Sequence, residues 1–333
     1  MRLNPLRYII LLAFMAVAVT GCEQNDDHVT LKLAHGLDTG HSVHKAMVFM
    51  DQRLRELSGG TMSIDIYPSG QLGSERDLME LLQIGSLAMT KVSTSPMESF
   101  VPQMKVFSIP YVFRDQAHLW QVLDGEIGQE LLLAGQSVRL RGLAYYDAGS
   151  RSFYTIDTPI RKPSDLKGLK IRVMKSKTSM LMVNALGGSA TPISFGELYT
   201  ALQQGVVDGA ENNPPSFYLS KHYEVARYYT LDMHTSVPDI LLMSGPVWNK
   251  LSPEQQAWLQ EAARLSVPYQ KALWKQSSDE ALQAVKDAGV TVIEPDKTAF
   301  QQAVKGMHDS YRGQPVYDLM QRIANVKGDN SND

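Results

Sequence analysis

Strand and helix patterns alternate along the chain from Val29 onward, and this alternation constrains the fold more than any other feature. Apolar residues of period two begin at Val29 and are followed by an apolar run with helical spacing that stops at Gly59-Gly60. Strand patterns follow at Met62 to Ile66 and at Leu87 to Ser93, with another helical pattern between them. This order is typical of a parallel sheet covered by helices.

The same order restarts after a break at Asp147-Ala148-Gly149. Ser194 and Glu197 form a capping-box pattern at the start of one helix of this second half. The predicted elements are strands at Leu169 to Val173, Ala190 to Ile193 and Val206 to Ala210, and helices at Ser179 to Leu186 and Ser194 to Gln204. Because 333 residues exceed the size at which single cores usually stop growing, we predict an α/β fold of two domains that face each other across a cleft.

A single long helix is predicted in the last third of the chain. Ser252, Pro253 and Gln255 form a strong start signal, and only Pro268 interrupts the pattern before Gly289. At about 1.5 Å per residue this helix would reach roughly 50 Å, so it should pass from one domain to the other and kink at Pro268. Two helices that meet at Pro268 are the alternative. The predicted domain boundaries are 29–148 plus about 238–268 for domain I and 149–237 plus about 269–325 for domain II.

The N-terminus has the pattern of an export signal. Two arginines precede an apolar run from Tyr8 to Val19, which is too short for a membrane span of roughly 20 residues. Val19-Thr20-Gly21-Cys22 resembles the bacterial lipobox, in which the cysteine is lipidated and becomes the new N-terminus. We therefore predict a signal peptide at 1–21, lipidation of Cys22 and a polar tether at 22–28; an ordinary cleaved signal is the alternative. Cys22 is the chain's one cysteine, so the exported protein has no disulfide.

The charge of the chain is nearly balanced. It contains 32 basic and 35 acidic residues, which gives a net charge of −3, and no basic tract occurs. A nucleic-acid partner is therefore not expected, and the lipid anchor is the predicted contact with the membrane.

Arg172 is a permanently charged side chain within a strand pattern. The segment from Leu169 to Val173 alternates apolar and basic residues, so one face of the strand is apolar and the other carries this guanidinium. A buried or half-buried arginine needs an anion, and its planar fork suits a carboxylate. The partner is either a protein side chain in a structural salt bridge or an anionic ligand, and this strand alone leaves both open.

Polar residues of the second half form a further candidate group. Asn212 and Asn213 follow the predicted strand, so they should lie beyond its carboxyl end, where open α/β sheets bind ligands, and Pro214-Pro215 should stiffen this loop. A plain turn is the alternative. Arg151 follows the break between the halves, and it would repel Arg172 across a shared cavity unless an anion lay between them.

The first half supplies candidates of its own. Lys91 and Ser93 share one face of the third predicted strand, where Lys91 is either a positive contact or a solvated edge lysine. His35 and Asp38 lie beyond the first strand together with His41, in a position suited to a polyhydroxylated ligand. The alternative is that Asp38 caps the following helix and that the histidine lies on the surface.

Motifs of catalysis and of metal binding are absent from the sequence. It contains no Gly-rich phosphate loop, no His-Glu-x-x-His and no cysteine after Cys22. His41 and His44 have helical spacing but lack an evident third ligand. Glu211 and Asp239 could form an acid/base pair only if the fold brought them together. We therefore predict no metal, no cofactor and no enzymatic activity.

Four segments together resemble the extracytoplasmic solute receptors of the tripartite ATP-independent periplasmic (TRAP) transporters, the dicarboxylate-receptor-type family. These segments are Tyr67 to Gly73, Asp165 to Val173, Pro192 to Gln203 and Val207 to Asn212, and with the long helix the likeness covers residues 29 to 310. The resemblance implies a periplasmic-binding-protein-like fold that closes on a small organic acid and delivers it to a membrane permease. It also implies that Arg172 binds the carboxylate of the ligand, with support from Arg151 and Asn212.

Several segments look like the branch of that family that takes hexuronates such as glucuronate and galacturonate. They include Ala34 to Asp38, Met89 to Ser93 and Asn212 to Phe217, whereas the residues near Ser93 and Lys175 argue against sialic acid. The remaining expected contacts are polar and suit the hydroxyls of a sugar acid: His35, Asp38, Gln71, Glu75, Lys91, Ser93, Asn212, Asn213 and Asp239. The alternatives are a four-carbon dicarboxylate receptor, a periplasmic uronate-processing enzyme with Glu211 or Asp239 as base, and a sensor subunit.

Overall fold

The computed structural model describes residues 28–327, whose strands form two mixed sheets. The strands are β1 (Val29–Ala34), β2 (Met62–Tyr67), β3 (Met89–Ser93), β4 (Leu140–Tyr146), β5 (Arg151–Thr155), β6 (Lys170–Val173), β7 (Ser189–Pro192), β8 (Gly209–Asn212), β9 (Tyr228–Thr235), β10 (Asp239–Ser244) and β11 (Thr291–Ile293).

The helices surround these sheets and connect their strands. The α-helices are α1 (Ser42–Leu57), α2 (Glu75–Ile84), α3 (Thr94–Met97), α4 (Gln116–Asp124), α5 (Glu126–Leu133), α6 (Lys177–Ala185), α7 (Leu198–Gln203), α8 (Pro214–Leu219), α9 (Gly245–Trp248), α10 (Pro253–Asp287), α11 (Lys297–Ala303), α12 (Lys305–Asp309) and α13 (Pro315–Ala324). Short 3₁₀ helices occur at Pro102–Ser108, Gln136–Val138, Pro163–Leu166, Phe195–Glu197 and His222–Glu224. None of the helices between residues 28 and 327 combines the length and the apolar character needed to cross a membrane.

The first sheet has five strands in the order β2-β1-β3-β10-β4. β1, β2 and β3 are parallel, as the sequence pattern predicts, whereas β10 runs antiparallel between β3 and β4. The first residue of β10, Asp239, pairs with Ser93 on one side and Tyr146 on the other. A strand from late in the chain therefore completes the sheet that the first residues begin.

The second sheet has six strands in the order β11-β9-β5-β8-β6-β7. β6 lies between β7 and β8 and is parallel to both, while β5 is antiparallel to β8 and β9. In this register Arg172 of β6 is opposite Ala210 of β8, and Phe153 of β5 is opposite Glu211. The arginine thus lies in an interior strand, which explains its burial.

The predicted start of the strand at Val206 to Ala210 is wrong, because β8 begins at Gly209. The backbone amides of Val206 and Val207 both donate to the carbonyl of Ala201, so these residues finish the end of α7. Val206 is 49% exposed and does not enter the core. As a result, Asn212 is the last residue of the strand and does not belong to a loop beyond it.

The capping box predicted at Ser194 and Glu197 is also absent. Ser194 makes no side-chain cap hydrogen bond, and a 3₁₀ turn at Phe195–Glu197 places Glu197 at the N-cap of α7. In contrast, the predicted signal at Ser252 and Gln255 forms a complete capping box at the start of α10.

The long helix α10 is continuous over 35 residues, so the alternative of two helices is wrong. Leu259 and Trp274 pack in the apolar cluster of α1 and the first sheet, whereas Val285 packs in the cluster of α8 and the second sheet. The helix therefore spans both sheets with Pro268 inside it. A kink at Pro268 and the exact domain boundaries stay predictions.

One turn of α10 is hydrogen bonded to the segment where the chain passes from β4 to β5. The Gln270 amide donates to the Asp147 carbonyl at 2.8 Å and accepts from the Asp147 backbone N–H at 2.7 Å, and both residues are buried. Gly149 has a φ of +57°, and a Cβ there would lie 3.2 Å from the indole nitrogen of Trp274. This packing attaches the crossover segment to the middle of the helix.

Gly128 and Gly306 offer a test of the packing around the corner between α4 and α5. Both glycines lie in helices, but a Cβ at Gly128 would overlap with the backbone carbonyl of Leu123, while a Cβ at Gly306 meets nothing within 4 Å. We expect Gly128→Ala to destabilise the protein by about 1–3 kcal/mol or more through overpacking. Gly306→Ala should be neutral or stabilise by up to about 1 kcal/mol, because alanine is the better helix former. Thermal unfolding of the two variants measures the difference, and equal melting temperatures would contradict the tight corner.

Candidate functional site

A cavity of about 540 Å³ lies between the two sheets, within the size range of small-molecule sites. One wall comes from the second sheet and includes Arg151, Arg172 and Asn212. The opposite wall comes from α2, β3 and β10 and includes Lys91 and Asp239. The side chains that line it are therefore held by sheet strands and helix ends.

Arg172 is 1% exposed, and its guanidinium reaches the cavity with few protein partners. Its Nε donates to the carbonyl of Ile193 at 2.8 Å, and its Nη1 is buried without a hydrogen-bond partner among residues 28–327. The guanidinium carbon lies 5.9 Å from the ring centroid of Phe195. Burial lowers the pKa of Arg172 because removal from water penalises the charged form. No carboxylate of the described chain forms a salt bridge with it, so the structural salt bridge that the strand pattern left open is not found.

Arg151 also lines the cavity, but its guanidinium is already bound to protein groups. Its Nε and Nη2 contact the Glu211 carboxylate, the second at 2.9 Å, and its Nη1 donates to Asn212 Oδ1 at 2.9 Å. This pairing offsets the repulsion that the sequence suggested between the two arginines, because the Glu211 carboxylate compensates the Arg151 charge and also acts on Arg172.

Glu211 belongs to a buried chain of alternating charges. His234 Nδ1 lies 2.7 Å from Asp232 Oδ2, and its Nε2 lies 3.5 Å from Glu211 Oε2. Burial alone would raise the pKa of Glu211, but Arg151 and His234 hold it down at about 2. Burial alone would lower the pKa of His234, but Asp232 and Glu211 raise it to about 9. Sequence reasoning missed Asp232 and His234, whose one available signal was their spacing of two residues along β9.

The two asparagines are buried and lie at a strand end and a helix start. Asn213 is the N-cap of α8, where its Oδ1 accepts from the backbone N–H of Ser216 at 2.9 Å. Pro214 and Pro215 form the first turn of that helix and do not stiffen a loop as predicted. The side-chain oxygen of Asn212 accepts from Arg151, so its Nδ2 group is the part left to donate.

The opposite wall holds an ion cluster around Lys91, which is 3% exposed and is therefore not a solvated edge lysine. Its Nζ lies 3.0 Å from Asp239 Oδ1 and 3.6 Å from Glu75 Oε1. Ser93 joins the cluster, since its backbone N–H donates to Glu75 and its hydroxyl donates to Asp239. Burial raises the pKa of Glu75, although the nearby Lys91 charge opposes this shift.

Three predicted contacts do not line the cavity. His35 is fully buried next to it and pairs with His44 at 3.0 Å, and burial together with the Lys91 charge lowers its pKa to about 3. Asp38 and Gln71 are exposed outside the cavity. Asp38 accepts from the Gly40 backbone N–H, and the N-cap of α1 is His41, so the alternative of a cap by Asp38 is wrong as well. These residues lie in tight turns after β1 and β2, whose side-chain directions strand periodicity does not predict.

Aromatic side chains also line the cavity. The sequence analysis did not assign two of these, Trp274 and Phe195, to the site. Trp274 of α10 and Phe195 line it together with His41, whose ring centroid lies 5.9 Å from that of Trp274. Within the described part of the chain, no three His, Cys, Asp or Glu side chains lie together as a metal site. Cys22 lies outside the described residues.

Comparison with known proteins gives a consistent result over most of the chain. Residues 33–314 match the family model described as bacterial extracellular solute-binding protein, family 7. The uncharacterised protein YiiZ of Salmonella typhimurium is 41% identical over 321 residues, which are 96% of this chain and 98% of that protein. The C4-dicarboxylate-binding periplasmic protein DctP of Rhodobacter capsulatus is 30% identical, over 84% of this chain and 86% of that protein.

Solved structures show the same fold. A TRAP periplasmic solute-binding protein of Bradyrhizobium in complex with D-galacturonate superposes with a TM-score of 0.86 and 41% identity, covering 88% of this chain and 99% of that one. A second, from Pseudomonas putida F1 with bound D-glucuronate, gives a TM-score of 0.87 and 40% identity, covering 91% of this chain and 99% of that one. The predicted α/β fold of the binding-protein type is therefore confirmed.

The charge chain around Glu211 predicts a specific response to mutation. Glu211→Gln leaves the Arg151 and His234 charges buried with less compensation, so we expect a loss of about 3–5 kcal/mol in the free energy of unfolding at pH 7. Because the folded pKa of Glu211 is about 2 and its ordinary value is 4.5, its stabilising effect is complete above about pH 4.5 and is lost as the pH falls toward 2. The gap in melting temperature between wild type and variant should therefore narrow as the pH is lowered from 4.5.

The matched control is Glu261→Gln, which breaks an exposed ion pair with Arg264 and should leave the melting temperature close to that of wild type, because water screens this pair. Thermal unfolding between pH 7 and pH 3 measures both variants. A Glu211→Gln protein as stable as wild type at pH 7 would contradict the role of this carboxylate.

Proposed function

Since the chain belongs to family 7 of the bacterial extracellular solute-binding proteins and is a solute receptor of the TRAP type, we propose that it captures a hexuronate such as D-glucuronate or D-galacturonate. Members of this family are periplasmic binding proteins, as the sequence predicted. The observation that carries the proposed ligand class is the buried guanidinium of Arg172, which faces the cavity without a carboxylate partner.

Arg172 is the proposed carboxylate contact. The Ile193 carbonyl holds one edge of its guanidinium and fixes the orientation. Because Nη1 makes no hydrogen bond within residues 28–327, the guanidinium retains donors for a ligand oxygen. The centroid of the Phe195 ring lies 5.9 Å from the guanidinium carbon, and Arg172 is 1% exposed, so its interaction with an anion is screened little by water. An acid should therefore bind far more tightly than the corresponding neutral sugar.

The other polar groups of the cavity suit a polyhydroxylated ligand. The proposed contacts to hydroxyls are Arg151, Asn212, Asn213, Lys91, Glu75, Ser93 and Asp239. Trp274 and His41 supply flat faces against which the apolar face of a sugar ring can pack. His35, Asp38 and Gln71 are left out of this set, because they do not line the cavity.

A four-carbon dicarboxylate is the second candidate, favoured by the likeness to the dicarboxylate receptor of Rhodobacter capsulatus. Such a ligand requires a second free cation inside the cavity, yet Arg151 and Lys91 are each engaged by protein carboxylates. The other two cations of the lining, Arg76 and Lys175, are exposed, so water screens their charge. Catalysis is not part of the proposed function: Glu211 has a pKa of about 2 and is bound to Arg151, so it is a poor base at neutral pH.

The proposed cycle ends with delivery of the ligand to the membrane permease of the transporter. We propose that domain I (29–148 plus about 238–268) and domain II (149–237 plus about 269–325) close on the ligand by a hinge motion. The crossover segment at Asp147 and the middle of α10 would form the hinge, since they are hydrogen bonded to each other. Lipidation at Cys22 would keep the receptor at the membrane where its permease lies.

Arg172→Met tests the proposed carboxylate contact. We expect D-glucuronate and D-galacturonate to raise the melting temperature of the wild type, and the variant to bind them about 30-fold or more weakly, since loss of a buried charge partner costs about 2–5 kcal/mol. The ligand-free variant should be as stable as wild type or more stable, because an uncompensated buried charge has been removed.

The control is Arg141→Met, which removes an arginine that packs on Trp248 outside the cavity and should leave affinity unchanged. Isothermal titration and thermal shift provide the measurements. Uronate binding that survives in Arg172→Met would refute the site, whereas a wild type that binds no organic acid would refute the ligand class.

Cys22→Ser tests the proposed lipid anchor. In bacteria grown with labelled palmitate, the wild type should carry label and sediment with membranes. The variant should lose the label and appear in the soluble periplasmic fraction. An unlabelled wild type in the soluble fraction would instead support the ordinary cleaved signal.

A further inference from the structure

The wall opposite Arg172 is made of two carboxylates that share one ammonium group. We call Lys91, Glu75, Ser93 and Asp239 the far wall. The side chains of Lys91 and Asp239 are 4% and 6% exposed, so this ion pair is shielded from bulk water, whereas the Glu75 side chain is 22% exposed and keeps partial contact with it. With one positive and two negative groups, the ionised far wall has a net charge of −1.

The hydrogen bonds within the far wall leave acceptors toward the cavity. Glu75 is held through Oε1 by the Ser93 backbone N–H at 2.9 Å, and Asp239 is held through Oδ1 by Lys91 and by the Ser93 hydroxyl at 3.1 Å. These contacts use Glu75 Oε1 and Asp239 Oδ1, and both residues line the cavity. An ionised carboxylate accepts but does not donate, so the second oxygen of each, Glu75 Oε2 and Asp239 Oδ2, can accept from donors of a ligand.

The two walls therefore differ in what they recognise. Arg172 is a free cation and takes an anion, whereas the far wall takes hydroxyl donors and repels a second anion. We propose that Glu75 and Asp239 restrict the receptor to acids with one carboxylate, so that a hexuronate is accepted and the aldarate with carboxylates at both ends is rejected. This inference rests on the proposed function, because it takes the first carboxylate to lie at Arg172.

Removal of one negative charge from the far wall should relax this discrimination. Glu75→Gln and Asp239→Asn keep the side-chain shape and change the wall from net negative to neutral. We expect each variant to raise the affinity for galactarate relative to that for D-galacturonate by at least tenfold. Glu197→Gln is the matched control: this carboxylate also lines the cavity, but it is exposed and water screens it, so the ratio should stay within threefold of wild type.

The experiment is isothermal titration of wild type and the three variants with D-galacturonate, galactarate and D-galactonate. The titrations are run at pH 8, because burial raises the pKa of Glu75 and the far wall must be ionised. Galactonate is open-chained like galactarate but ends in a neutral hydroxymethyl group, so the wild type should bind it at least tenfold more tightly than galactarate.

The outcomes separate the inference from the proposed function. The role of the far wall would be overturned if the wild type binds D-galacturonate but neither Glu75→Gln nor Asp239→Asn changes the ratio of galactarate affinity to D-galacturonate affinity. Galactarate that binds the wild type as tightly as D-galacturonate would overturn it as well. A wild type that fails to bind D-galacturonate would overturn the proposed function itself.

Discussion

A charge that is enclosed by protein must be compensated, and this requirement organises the interior of the molecule. Arg151 is compensated by Glu211, and Glu211 is in turn flanked by His234 and Asp232. Lys91 is compensated from two sides on the other sheet. Arg172 is the exception among these buried cations, since a backbone carbonyl and an aromatic ring are its neighbours. We propose that an anionic ligand supplies the missing negative charge at Arg172.

The sheets hold these charges in fixed relative positions. Lys91, Arg151 and Arg172 are all on strands, where neighbouring strands and the packed helices restrict each backbone. Hydrogen bonds from strand neighbours place Glu211 beside Arg151, and the capped start of α2 places Glu75 beside Lys91. Such preorganisation reduces the entropy lost when a ligand binds, because the protein groups are already oriented.

The sequence predicts those features that depend on local patterns. The first parallel strands and the continuous helix α10 follow from periodicity and capping residues. The family likeness supplied the proposed role of Arg172, whose complete burial depends on the interior position of β6 in its sheet. The pairing of Arg151 with Glu211 does not follow, because it depends on the register of two strands that are 60 residues apart in the chain. The start of β8 and the positions of His35 and Asp38 depend on turn geometry, which apolar periodicity does not encode.

The position of β10 has a consequence for the order in which the molecule can be assembled. β3 and β4 are complete at residues 93 and 146, yet the strand between them comes from Asp239–Ser244. Until that segment is available, both neighbours carry unpaired backbone edges that invite association with other chains. Contacts over such sequence distances also slow folding, since long loops must close first. The sheet that begins at the first strand is therefore completed only after most strands of the other sheet exist.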